Sequence, residues 1–311
     1  MVQSSTASIR VRNAVTLTPA PTKHLQIVRS PSEQERVRKL FDYLGERGNS
    51  GGTVRYDCHM GSDTNHYQRM KASIDLLAPI LLHRRLKRAS EIRIISVGGG
   101  TGEIESHFVR NCILPHLRAN TDIKMTLVLV DDALNMIATA NEKFESLKMQ
   151  ANGVAKRLKF IVVPSSAENL TPKNRTDINP EFQVPFDIAI CSYVSAWFAS
   201  RHLAYGNVRN LLLNRKGRLL TMEEHELNFT PSTSMPEDSD FAKLIREVAQ
   251  KSHIHPRELY KLLEDIGFGK GWKLKPAVPI DVKPEHGAKE HSLYTAVKPA
   301  NGKPIPELET T

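Results

Sequence analysis

The stretch "IISVGGGTGEI" at residues 94–104 sets four glycines within five positions, directly behind a short apolar run. Glycine loses more backbone entropy on folding than any other residue. Such a cluster therefore signals left-handed dihedrals, or a group that must lie against the main chain. Upstream, "EIRIISV" (91–97) reads as a strand buried on both faces. Downstream, "EIESHFVRNCILPHL" (103–117) reads as a helix. Strand, glycine turn and helix together open a βαβ unit.

The rhythm continues along the chain. "KMTLVLV" (124–130) is a second strand, followed by a helix over 133–150. "RLKFIVV" (157–163), "FDIAICS" (186–192) and "GRLLTM" (217–222) are further strands, the last preceded by a helix through 202–213. Strands alternating with helices predict an α/β domain with a doubly wound, mostly parallel sheet. After residue 223 a polar, turn-rich insertion runs to about 250. A helix over 255–268 follows, with two closing strand candidates, "GWKLKPA" (271–277) and "HSLYTAV" (291–297).

The first 90 residues differ. Residues 1–31 are rich in Ser, Thr, Ala and Pro and contain no Asp or Glu, which predicts a flexible arm; an organellar targeting segment is the alternative. A helix is expected over 30–44, capped by Ser32, with Val37, Leu40, Phe41 and Leu44 on one face. A second is expected from about Thr64 to Lys87, with Met70, Ile74, Leu77 and Leu81 on one face. The division is thus an arm (1–31), a helical extension over the site (32–89), a sheet domain (90–298, with 223–250 inserted) and a tail (299–311).

Composition narrows the function classes. The 311 residues contain no apolar run long enough to span a bilayer, so no membrane partner is expected. Cys58, Cys112 and Cys191 are far apart and form no CxxC pair. That argues against a thiolate metal site and for a reducing, cytoplasmic setting. The net charge of +9 is spread along the chain; its densest cluster, "LLHRRLKR" (81–88), suits a helix C-terminus. A nucleic-acid partner is accordingly not expected, since its footprint would gather on one face. "SHIHP" offers His253 and His255 without a third ligand at useful spacing, so no metal is predicted.

In an open α/β sheet the ligand lies beyond the carboxyl ends of the strands, where the strand order reverses. Gly98, Gly100 and Gly102 follow the first strand in the spacing GxGxG. A dinucleotide site would place a third glycine where Glu103 stands, and a carboxylate there opposes a diphosphate. S-adenosylmethionine carries an amino-acid cation and no phosphate, so Glu103 is compatible with it. Asp131 and Asp132 end the second strand, where a carboxylate can accept both hydroxyls of an adenosine ribose. Asp132 can equally cap the next helix. "PSSAENL" (164–170) places Ser165 and Ser166 where an adenine edge would lie, and "CSYVSAWF" (191–198) brings Ser192, Tyr193 and Trp197 near the expected methyl group.

With those residues in order, the chain resembles the class I S-adenosylmethionine-dependent methyltransferases. "SVGGGTGEIE" resembles their glycine motif, "LVLVDD" their ribose acid, "PSSAENL" their adenine loop and "FDIAICSYVSAWF" their fourth strand. The resemblance covers about residues 90–298. It implies a Rossmann-like, seven-stranded sheet whose last strand is antiparallel. It also implies S-adenosyl-L-methionine as cofactor, with S-adenosyl-L-homocysteine as product. Contacts are implied from Gly98, Gly99, Gly100, Gly102, Glu103, Asp131, Asp132, Ser165, Ser166 and Ser192.

Within the class, "SDTNHYQRMKASIDLLAPILLHRRLKRASEIRIISVGGGTGEIE" is similar to histamine N-methyltransferase and related small-amine enzymes. That likeness implies a small-molecule acceptor, an amine nitrogen foremost. Asn65 stands opposite the family's amine-binding glutamate, beside Asp63 and Tyr67, while Tyr193 and Trp197 fall at its amine-pocket aromatics. His59 or His66 could accept the proton of an ammonium acceptor if this segment folds over the site. The alternatives are O-methylation of a natural product, an RNA or protein acceptor, or a methyltransferase fold that binds the cofactor without catalysis. No (D/N)PPY/F signature follows the fourth strand, and Cys191 has no proline partner for cytosine chemistry; it reads as a small buried residue.

Overall fold

The computed structural model describes residues 29–48, 53–63, 90–120, 122–212, 217–225, 256–268, 272–274 and 290–297, with isolated helical positions between 67 and 82 and at 243 and 247. Residues 1–28 of the expected arm, most of the 64–87 helix with its basic cluster, most of the 223–250 insertion, the His253/His255 pair and the tail lie outside the described residues, while residues 29–31 of that arm are ordered at the start of the first helix.

Among the described residues, seven strands form one sheet in the order β3-β2-β1-β4-β5-β7-β6. They are β1 (Glu91–Val97), β2 (Lys124–Asp131), β3 (Leu158–Pro164), β4 (Ile188–Ser192), β5 (Arg218–His225), β6 (Trp272–Leu274) and β7 (Glu290–Val297). The pairs β1–β2, β2–β3, β1–β4 and β4–β5 are parallel, while β7 runs antiparallel to both β5 and β6. The central strands are buried on both faces, as expected where helices cover a parallel sheet on each side. Alternate side chains feed two cores. Ile92, Ile94, Met125, Leu127 and Leu129 enter one, while Ile95, Val97, Val128 and Val130 enter the other. Each such side chain contributes roughly 1.5–3 kcal/mol by leaving water.

Helices α1 (Pro31–Gly45) and α2 (Arg55–Cys58) precede the sheet; α3 (Glu103–Phe108) and α4 (Leu114–Ala119) follow β1. The expected single helix over 103–117 is instead broken by a wide turn at Val109–Ile113. Pro115 follows at once and has no N–H to donate back into that turn. Helix α5 (Leu134–Gln150) buries Met136, Ala140, Phe144 and Leu147, spaced for one face. Helices α6 (Arg175–Ile178), α7 (Arg201–Leu211) and α8 (Pro256–Asp265) follow among the described residues. The last ends at Gly267, whose φ of +85° suits a glycine stop.

Two capping expectations are corrected. Ser30, not Ser32, caps α1: the Glu33 main-chain N–H donates to its hydroxyl, and the Ser30 N–H donates to the Glu33 carboxylate. Pro31 at the first helical position and Glu33 at the third select that register. Asp132 does not cap α5, which starts from Ala133 without a side-chain cap.

Candidate cofactor cleft

The strand order reverses between β1 and β4, so a crevice opens over the carboxyl ends of these strands. The glycine turn forms one wall. Its main chain is tied to β2 by the N–H groups of Gly98 and Gly99, which donate to the Val130 carbonyl at 2.8 and 3.4 Å. Gly98, Gly100 and Gly102 have φ of +65°, +55° and +70°. Most of the glycine requirement is internal packing. A Cβ on Gly98 would sit 2.0 Å from Val194 Cγ2, and one on Gly99 2.7 Å from Leu129. Gly102 lies against Ala140 and Phe144. A Cβ on Gly100 would meet nothing nearer than Tyr56 at 3.7 Å. Gly98 and Gly100 line the cleft.

Asp131 ends β2 beneath this turn. Its Oδ2 accepts the Gly100 N–H at 2.9 Å and its Oδ1 the Ala133 N–H at 3.0 Å. Burial, aided by the charge of Asp132, raises its carboxyl to about 6 against the pull of those N–H groups. Each oxygen retains a lone pair for a further donor. Asp132 beside it is also raised by burial, against the pull of the Gln34 amide on α1.

The turn after β3 forms the next wall through Ser165, Ser166, Ala167 and Glu168. The Ser165 N–H donates to the Asp131 carbonyl at 3.0 Å. Asn207 of α7 holds the turn by donating to the carbonyls of Ala167 and Glu168 at 3.0 and 2.9 Å. Glu168 accepts the Ser200 N–H at 3.1 Å, and burial raises its carboxyl.

From the end of β4, Ser192, Tyr193, Val194, Trp197 and Phe198 close the far side. Tyr193 has φ +53°, the one left-handed non-glycine backbone among the described residues. Such a conformation is costly for a bulky side chain and occurs where surrounding structure imposes it. Here the Tyr193 N–H is drawn to the Met222 carbonyl at 2.7 Å. The roof comes from α1, which contributes Gln34, Val37 and Phe41, and from Tyr56 of α2. Leu40 and Leu44 seat α1 against Ala133 and Met136. Phe41 meets Trp197 edge-to-face at 4.9 Å and Tyr56 at 6.1 Å, so rings from three chain segments form one aromatic wall.

The lining contains three carboxylates, Asp131, Asp132 and Glu168, and no lysine or arginine among the described residues. An acidic pocket in a chain of net charge +9 selects for cationic or neutral ligands and against phosphates.

The structure brings together Gly98, Gly100, Asp131, Asp132, Ser165, Ser166, Ser192, Tyr193 and Trp197. Glu103 sits elsewhere. Lys71 and Lys143 donate to it at 2.7 and 3.0 Å, and although burial pushes its carboxyl up, these ammonium groups hold it below the ordinary range. Tyr67 is buried behind the glycine turn, donating to Asp57 at 2.6 Å. Asp57 also accepts from Thr101 at 2.6 Å and from Lys143 at 2.7 Å. This cluster bolts the turn to α2 and α5. Asn65 and His66 lie outside the described residues, as does the side chain of Asp63. Cys191 is fully buried in β4. Among the described residues no group of three His, Cys, Asp or Glu could hold a metal ion, and no helix is long and apolar enough to cross a membrane.

Sequence reasoning missed Gln34, Tyr56 and Glu168 as cleft residues, and Asp57 and Lys143 as supports of the turn. Glu168 lay inside the marked "PSSAENL". Gln34 carried a weaker signal, one turn before Val37 and Phe41 on the apolar face of α1.

No family model matches the chain, and no curated protein does. Solved structures do. The carbon methyltransferase DszA aligns with a TM-score of 0.54 at 13% identity, over 88% of this chain and 67% of that one. The plantazolicin methyltransferase BamL, solved with a triazolic desmethyl-plantazolicin analogue and S-adenosylhomocysteine, aligns with a TM-score of 0.51 at 13% identity, over 86% and 97%. The likeness is one of fold. A Thermotoga maritima protein described as a possible histamine N-methyltransferase aligns at 16% identity over 75% of this chain and 95% of that one, with a TM-score of 0.36. At that score it carries no argument about an amine acceptor.

Proposed function

We propose that the cleft binds S-adenosyl-L-methionine and that the protein is a methyltransferase acting on a small molecule, with an amine nitrogen as the favoured acceptor. The observation that carries this reading is the acidic lining, with no lysine or arginine among the described residues, at the switch point beside the glycine turn. It suits a sulfonium ligand with a nucleoside and opposes a pyrophosphate. The fold shared with DszA and BamL supports it.

In this reading the open face of Gly100 lets the ligand's amino-acid end approach the main chain. Asp131 accepts hydrogen bonds from the ribose hydroxyls, and Ser165 and Ser166 meet the adenine edge. The cofactor supplies an electrophilic methyl group for in-line displacement, leaving S-adenosyl-L-homocysteine. The chain's own residues contribute position and exclusion of water. Tyr193, Trp197, Phe41 and Tyr56 form an aromatic wall whose ring faces favour a cation at the sulfonium or in an amine acceptor. Residues 32–89 serve as the cover and acceptor side, residues 90–298 as the cofactor domain. The free cysteines fit a cytoplasmic enzyme. RNA and proteins are the lesser acceptors.

Two measurements test this on the full chain. Calorimetric titration with S-adenosylhomocysteine is expected to show one site. Transfer of an isotope-labelled methyl group to pooled amines, phenols and RNA is expected to label the amine pool. Binding without transfer to any pool would favour a non-catalytic cofactor-binding protein, and no binding would overturn the reading.

A further inference from the structure

Gln34 reaches the cleft from the first turn of α1, on a lining that also holds Asp131 and Asp132. Its amide lies beside the Asp132 carboxylate and favours the ionised acid. The NH2 half of the amide suits that neighbour, because a carboxylate accepts and only the NH2 half can donate. Oε1 is buried with no hydrogen-bond partner among the described residues. A buried acceptor left unmet is costly, so native structures rarely tolerate one without a reason.

The surroundings define what would meet it. Both oxygens of Asp131 already take one main-chain N–H each, and their remaining capacity is for accepting only. Asp132 is likewise an acceptor. This end of the cleft therefore asks a ligand for donors. An adenosine offers three kinds: the 2′-hydroxyl, the 3′-hydroxyl and the 6-amino group. The helix that carries Gln34 is held independently of any ligand. Asn135 Nδ2 donates to the Asp42 carbonyl at 2.9 Å, and Leu40 and Leu44 pack on Ala133 and Met136.

We propose that Gln34 is a specificity-determining contact for the nucleoside half of the ligand, its Oε1 accepting a hydrogen bond from one adenosine donor. Helix α1 then reads the ligand as well as covering it. By linkage, ligand binding tightens the docking of α1 to the same extent that docked α1 tightens binding. This rests on the cofactor reading above.

The test is calorimetric titration of the full chain with S-adenosylhomocysteine and its 2′-deoxy, 3′-deoxy and 6-deamino counterparts. Wild type is compared with Gln34→Met, which keeps the side chain's length and helix propensity without its oxygen. Gln34→Met is expected to bind S-adenosylhomocysteine about tenfold more weakly. For one of the three analogues, the penalty for the missing donor should shrink at least fivefold against wild type. Gln34→Asn, which keeps the amide but withdraws it by one methylene, should behave the same way. It also serves if the methionine variant melts early by circular dichroism. Unchanged affinity, or weaker binding with all three penalties intact, overturns the role of Gln34. Failure of wild type to bind S-adenosylhomocysteine at all overturns the cofactor reading instead, so the two failures are distinguishable.

Discussion

The main-chain N–H of Gly100 donates to Asp131 Oδ2 at 2.9 Å, so the glycine turn and the acid that ends β2 act as one unit. Burial raises the Asp131 carboxyl from 3.8 to about 6. A group raised on folding contributes stability that is present below its unfolded value and lost as pH rises through the folded one. The ligand-free chain should thus lose stability from Asp131 between about pH 4 and 6. Ligand hydroxyls favour the ionised form, so binding runs the other way. Affinity for S-adenosylhomocysteine should be level above about pH 7 and fall by up to about tenfold per pH unit below about 6. Calorimetry on Asp131→Asn should give weaker binding that changes less over this range, with Asp132 and Glu168 carrying what remains. A variant that keeps the wild-type pH profile would remove Asp131 from the site.

Gly98 and Gly100 share a left-handed backbone but differ in what surrounds them, and alanine separates the two. In Gly98→Ala the added carbon would meet Val194 at 2.0 Å, at φ +65°. Overpacking and backbone strain together should cost about 3 kcal/mol in urea unfolding. In Gly100→Ala the nearest atom is at 3.7 Å, so about 1 kcal/mol of strain is expected. Its main effect should be on ligand affinity, lowered at least tenfold. Equal stability of the two variants would contradict this division of labour.

These contrasts explain what was legible in the sequence. The turn at 98–102, Asp131 and the loop at 164–170 are written in residue type, because positive φ, close approach and a strand-end acid each demand particular side chains. Gln34 and Tyr56 carry no such mark. Their place depends on where α1 docks, which Leu40 and Leu44 settle against Ala133 and Met136, ninety residues away. Glu103 was legible as an acid but not in its role, because its partner Lys143 is forty positions on. The turn is acid-tolerant because lysines hold that acid, while the charge selection against phosphate comes from Asp131, Asp132 and Glu168.

Glu105 offers a test of stability apart from ligand binding. It lies fully buried behind the glycine turn, accepting from Ser96 at 2.6 Å, and burial raises its carboxyl from 4.5 to about 7. By the same sign, its contribution is complete below about pH 4.5 and lost as pH rises through 7. Ionisation at pH 8 therefore costs roughly 3 kcal/mol. Glu105→Gln is expected to stabilise the chain by about 2 kcal/mol at pH 8 and to change little at pH 5, measured by urea unfolding. A gain of the same size at both pH values would show packing rather than ionisation at work.

Tyr193 should invert the ordinary ranking of alanine and glycine. Its φ of +53° is strained for any residue with a Cβ. Tyr193→Gly is expected to be about 1 kcal/mol more stable than Tyr193→Ala, although alanine is the better residue in regular structure. Both variants lose the ring beside the expected methyl group, so both should transfer methyl groups far more slowly while still binding S-adenosylhomocysteine. The reverse order in urea unfolding would mean that the loop relaxes once the ring is gone.

Arg29 holds the loop that carries Trp197. Its Nη1 donates to the Trp197 carbonyl at 2.8 Å, its Nη2 to the Ala196 carbonyl, and its main-chain N–H to the Ala199 carbonyl at 3.0 Å. Burial and the nearby Arg201 lower its guanidinium to about 10, so it stays charged at neutral pH. Arg29→Ala should free the loop, costing about 1–3 kcal/mol of stability from two lost charge-assisted bonds. Affinity for S-adenosylhomocysteine should fall about tenfold. Arg29→Lys discriminates the cause, because a planar fork can bridge two carbonyls where a single ammonium holds a looser geometry. Lysine is therefore expected to restore less than half of the loss in free energy. Full restoration by lysine would mean that positive charge at this position, and not the bridge across Ala196 and Trp197, keeps the aromatic wall in place.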